Sequence, residues 1–120
     1  MSRWISARVA ARSNVELPQA IGEYFAAANT DDADRVAACF AEDAVVRDEG
    51  RDIRGRSAVR AWAKETRRKY HFHAEILAVE ATADRTVVTA HLTGDFPGNP
   101  VDLHYRFKLA DLEIIALEIG

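Results

Sequence analysis

The sequence holds one cysteine in 120 residues. It therefore has no internal disulfide and no thiolate cluster for zinc or an iron–sulfur centre. It has no apolar run near the ~20 residues that span a bilayer. It has no basic excess either: the net charge is −3 and the isoelectric point about 5.8, without the electrostatic footprint of nucleic-acid binding. Internal repeats, linkers and low-complexity segments are missing as well. What is there is globular composition, 48% hydrophobic and 29% charged, in a 13.3 kDa chain long enough to bury one core. These features predict a cytoplasmic protein with no membrane and no nucleic-acid partner. Its chemistry must come from carboxylates, histidines and tyrosines.

Residues 1–16 carry Arg3, Arg8 and Arg12 with no acid before Glu16. This is faintly like an organelle-targeting peptide, but the stretch is short and has no secretory apolar centre. It is read as a tail or an extra helical turn, with the domain over residues 17–120.

Pro18 opens a helical pattern in which Leu17, Ile21, Tyr24, Phe25 and Ala28 share a face. The acids of Asp31-Asp32-Ala33-Asp34 suit a second helix start, continued by the apolar stripe Val36, Cys39 and Phe40. Ala44 to Asp48 reads as a brief strand, and Glu49-Gly50-Arg51-Asp52 as a turn. Ser57 is placed to cap a third helix through Val59, Trp62 and Ala63 towards Lys69, whose charged face is solvated. After Tyr70 the period becomes two: His71 to Glu80, Arg85 to Thr93, Val101 to Ala110 and Glu113 to Ile119 read as strands. Helices first and a strand meander last predict an α+β fold. In the final strand Ile114, Ile115, Ala116, Leu117 and Ile119 place apolar groups on both faces. A covering partner, hence a homodimer through the outer sheet face, is the economical expectation.

This order resembles the nuclear transport factor 2-like superfamily, which includes SnoaL-like and ketosteroid isomerase-like proteins. The resemblance is carried by Glu23-Tyr24-Phe25-Ala26-Ala27-Ala28-Asn29, by Cys39-Phe40-Ala41-Glu42-Asp43-Ala44-Val45-Val46-Arg47-Asp48, and by Arg54-Gly55-Arg56-Ser57-Ala58-Val59-Arg60-Ala61-Trp62. Tyr105-Arg106-Phe107-Lys108-Leu109 and Ile115-Ala116-Leu117-Glu118-Ile119 look like its closing hairpin. It covers the chain from about Leu17 onward and implies a cone-shaped, curved antiparallel sheet with three helices on its concave face (the cystatin-like arrangement). It implies no single function, because this superfold hosts isomerases, dehydratases, cyclases, epoxide hydrolases and non-catalytic binders.

In ketosteroid isomerases a first-helix tyrosine donates to the developing oxyanion and a strand-end aspartate shuttles the proton. Those positions are matched by Tyr24 and Asp48. The second donor position falls on Leu103 and the supporting tyrosine position on Ala63. Neither side chain can donate, which leaves steroid isomerisation without half its apparatus.

The residues themselves leave two readings open. Asp48, on a strand face with Val46, is either a partly desolvated base or the acid that ends a strand before Gly50. Tyr24 is either a donor or a core tyrosine. Phe25, Phe40, Trp62, Leu103 and Tyr105 either line a pocket or fill it. Apolar alternation puts His91 outward, whereas the family-style register puts it beside Leu103 and Tyr105, where it counts among the ligand-binding residues. His71 and His73 share a strand face but have no third ligand, so no metal site is expected. Cys39 reads as a small core residue.

The function expected is a pocket for a small, mostly apolar ligand. It works without a cofactor, either as an isomerase, cyclase or lyase using Asp48 and Tyr24, or as a non-catalytic binder or dimeric scaffold.

Overall fold

A computed structural model describes residues 17–120. Helix α1 (Gln19–Ala28) starts behind Pro18, which caps it from outside; the Pro18 carbonyl accepts the N–H groups of Ile21 and Gly22 at 3.0 Å. Ile21, Tyr24, Phe25 and Ala27 form its buried face. Helix α2 (Ala33–Ala38) is capped by Asp32, whose carboxylate accepts from the Arg35 N–H at 3.1 Å. It ends at Cys39, so the apolar stripe predicted to run on through Phe40 breaks there. Phe40 instead opens strand β1 (Phe40–Asp48), which starts earlier than the alternation from Ala44 suggests.

The turn expected over four residues shrinks to two. Glu49 and Gly50 both have positive φ, 52° and 75°, and Asp48 pairs with Arg51. Two successive left-handed residues twist a two-residue connection to match its strands. Arg51 and Asp52 therefore belong to a further strand, β2 (Arg51–Arg54). Helix α3 (Arg56–Tyr70) follows Gly55, whose φ of 91° favours glycine. Ser57 lies inside the first turn and makes no side-chain cap, contrary to expectation. His71 closes the helix in the left-handed conformation, so it does not share a strand face with His73. Strands β3 (His73–Ala81), β4 (Thr86–Thr93), β5 (Val101–Ala110) and β6 (Glu113–Ile119) complete the chain.

The curved sheet has the order β2-β1-β6-β5-β4-β3. It is mixed where an antiparallel sheet was expected, because β6 inserts between β5 and β1 and runs parallel to β1. A bulge in β6 answers the question its sequence raised. Lys108 pairs with Ala116 and Leu109 with Ile114, leaving Ile115 unpaired. The extra residue resets the alternation, so Ile114 and Leu117, three apart, are both buried on the inner face. Apolar residues in succession thus follow from the bulge, which leaves Ile115 exposed on the sheet.

The helices pack on the inner face around Ile21, Phe40, Val59, Phe107, Ile114 and Leu117. One clasp fixes α1 against the sheet edge. Asn29 donates through Nδ2 to the Ala74 carbonyl at 2.9 Å and accepts the Ala74 N–H at 2.8 Å. The amide thus acts as a one-residue strand on the exposed edge of β3.

Candidate active site

Between the three helices and the inner sheet face lies a cavity of about 330 Å³. Each wall follows from a local pattern. Tyr24, Ala27 and Ala28 come from the buried face of α1, and Trp62, Ala63, Thr66 and Arg67 from the inward side of α3. Leu103 and Tyr105 come from the inward positions of β5, and Asp48 from the end of β1. Phe96 and Pro97 reach in from the β4–β5 loop. That loop docks through Gly94, where a Cβ would meet the Tyr70 carbonyl oxygen at 2.7 Å and the Phe72 Cα at 2.9 Å. Only glycine permits this approach.

Asp48 is half-buried, and Trp62 donates its indole N–H to Asp48 Oδ2 at 2.9 Å. Loss of water raises the carboxyl pKa above its ordinary value, and the neighbouring Glu49 charge pushes the same way. The Trp62 hydrogen bond, Arg51 and the Glu49 backbone N–H oppose that rise. The result is a carboxylate with stronger basicity than a solvated aspartate, held in one orientation.

Two phenols stand beside it. Tyr24 is 3% exposed and Tyr105 4%, with ring centroids 6.2 Å apart. Burial pushes the pKa of both well above the ordinary value, with the Asp48 charge adding to each and Tyr105 to Tyr24. Both therefore stay protonated and able to donate. Among the described residues neither hydroxyl has a hydrogen-bond partner, and both rings line the cavity. An oriented carboxylate and two neutral phenols lining one cavity are an arrangement that can remove a proton next to a carbonyl and stabilise the oxyanion that forms.

Of the residues singled out from sequence, Asp48, Tyr24, Trp62, Leu103 and Tyr105 come together here. Phe25 and Phe40 do not reach the cavity. Both are core residues, packed edge-on against the Tyr24 ring at 5.0 and 5.9 Å between centroids. His91 pairs with Asp102 along the sheet, while Ala90 takes the place opposite Leu103. Its ring lies on the outer face, 2.7 Å from Asp102 Oδ1, as apolar alternation required and the family-style register did not. Cys39 donates its thiol to the Arg35 carbonyl, and burial, then the Glu23 charge, pushes its pKa up to about 11.

Sequence reasoning missed the rim: Asp31, Asp32, Glu49, Lys64, Arg67, Tyr70, Phe72 and Phe96 also line the cavity. Most sit in turns or at helix ends, where periodicity carries no signal. Arg67 is tied down, donating to the Ala28 and Phe72 carbonyls while its guanidinium stacks on the Phe72 ring.

The family model for the SnoaL-like domain matches residues 21–114. The chain belongs to the SnoaL-like family. Among solved SnoaL-like and related folds, a Sinorhizobium meliloti protein with the provisional name polyketide cyclase is 38% identical, over 87% of this chain and 95% of that one, with a TM-score of 0.84. A Catenulispora acidiphila protein with a ketosteroid isomerase-like fold, solved in complex with trimethylamine, is 19% identical over 88% and 86% of the two chains, with a TM-score of 0.78. A cystatin-fold protein from Novosphingobium aromaticivorans is 17% identical over 85% and 95%, with a TM-score of 0.73. These two show the fold alone. No curated protein matches the chain. Among the described residues no helix is long and apolar enough to cross a membrane.

Proposed function

We propose that this SnoaL-like protein is a cofactor-free enzyme that removes a proton next to the carbonyl of a small, mostly apolar substrate. Asp48 is the base, and Tyr24 and Tyr105 donate to the enolate oxygen. The observation that carries the proposal is the convergence of an oriented, partly desolvated carboxylate and two buried phenols on one apolar cavity. Tyr105 sits two residues along the same strand face from Leu103 and supplies a donor that Leu103 cannot. Isomerisation, cyclisation and elimination share this first step and differ in where the carbanion's electrons go next. The provisional name of the S. meliloti relative, polyketide cyclase, fits the same beginning.

The test follows the shared step rather than one product. Aryl ketones incubated with the protein in D₂O should exchange their α-protons, read by proton NMR, and Asp48→Asn should abolish the exchange. Ketones that bind without exchanging would make this a binding protein, and the assignment of Asp48 as base would be lost.

A further inference from the structure

The cavity is asymmetric in charge and in the nature of its walls. Six rings line it, those of Tyr24, Trp62, Tyr70, Phe72, Phe96 and Tyr105. Aromatic faces carry partial negative charge and attract cations. Four carboxylates line it, Asp31, Asp32, Asp48 and Glu49, against two cations, Lys64 and Arg67. Arg67 is held by two backbone carbonyls and the Phe72 ring. Asp32 is occupied at the start of α2. At the rim this leaves Asp31 and Lys64, neither with a hydrogen-bond or ion-pair partner among the described residues, and Glu49, which accepts from the Tyr70 hydroxyl at 3.3 Å.

Deeper in, Tyr24 and Tyr105 are more than nine-tenths buried, and their hydroxyls have no partners among the described residues. Buried polar groups in that condition call for a ligand that satisfies them. The volume of about 330 Å³ is roughly twice the ~150 Å³ that holds benzene in an engineered apolar cavity. A ring, a carbonyl and a short charged arm fit together.

We infer that the substrate is an amine-bearing carbonyl compound, with an ammonium group at the Asp31 and Glu49 rim and its carbonyl at the two phenols. This rests on the reading of the cavity as a carbonyl site and adds the sign of the substrate's charge. An anionic arm would meet four lining carboxylates against two cations, in a cavity walled by six rings. An ammonium meets attraction from carboxylates and rings alike, and each charge-assisted hydrogen bond it makes to a carboxylate outweighs a neutral one.

Three probes of one shape decide it by isothermal titration at low salt: 4-methylacetophenone, 4-(aminomethyl)acetophenone and 4-acetylbenzoate. The aminomethyl compound should bind about tenfold more tightly than the methyl compound, and the benzoate more weakly than either. In the Asp31→Asn, Glu49→Gln double variant, verified as folded by its melting curve, the ratio of aminomethyl to methyl affinity should fall towards one. Binding of the methyl compound with no preference for the amine, a preference for the benzoate, or a preference that survives the double variant would overturn the charge assignment while leaving the carbonyl site standing. Failure of all three probes to bind would overturn the carbonyl site itself, and the charge assignment with it.

Discussion

Trp62 on α3 donates its indole N–H to Asp48 at the end of β1, across 2.9 Å. The bond fixes Oδ2 of the carboxylate. It also favours the ionised form, opposing the desolvation that raises the pKa. Trp62→Phe removes that opposition, so the Asp48 pKa rises further. The acid limb of the pH–rate profile for proton exchange should then move to higher pH, a shift that loss of packing alone does not produce.

Asp48→Asn should separate catalysis from stability. The raised folded-state pKa means that the native protein binds this proton more tightly than the unfolded chain does, whose reference is about 3.9. The stabilisation is complete below the unfolded value and is lost as pH rises through the folded one, so at pH 8 the charge is a net cost. Asparagine can still accept from the indole. The variant should melt above wild type at pH 8, and the difference should shrink towards pH 4. A variant melting lower at pH 8 would show that the carboxylate is structural.

The two phenols predict the same division. Their hydroxyls lack partners among the described residues, and deleting a buried, unsatisfied hydroxyl costs little or stabilises. Tyr24→Phe and Tyr105→Phe should keep or raise the melting temperature while each slows α-proton exchange by about 10²-fold. A drop in stability without a change in rate would make them core residues.

Asn29 is a structural counterpart. Its two hydrogen bonds to Ala74 are part-buried, and Asn29→Ala should cost about 2 kcal/mol in denaturant unfolding. Asn29→Asp keeps the acceptor for the Ala74 N–H, loses the donor and should fall between the two.

The helices, the meander and the inward faces of β4 and β5 were legible in the sequence because single-sided burial imposes a period of 3.6 or 2. Asp48, Tyr24, Leu103 and Tyr105 were legible through those faces. Three features were not. The strand Arg51–Arg54 hid behind a charged sequence because only Ile53 of its four residues is buried. The bulge at Ile115 imitated a strand covered on both sides. The Trp62–Asp48 bond joins residues on different elements, and no local pattern encodes it. His91 shows that alternation along a strand outweighs a register borrowed from relatives. A face is set by burial in this chain, whereas a register drifts with every bulge.

The place of β6 has a consequence for how the protein is made. Glu113–Ile119 is the strand that links β1 and β2 to the rest of the sheet, with Phe40 waiting for Ile114 and Val46 for Leu117. Until that segment leaves the ribosome, the β1–β2 hairpin has no neighbour to join, and the apolar residues that β6 will cover stay wet. Contacts this distant along the chain slow folding and prolong exposure of sticky surface. Nascent chains halted before Glu113 should therefore be the species that chaperones hold.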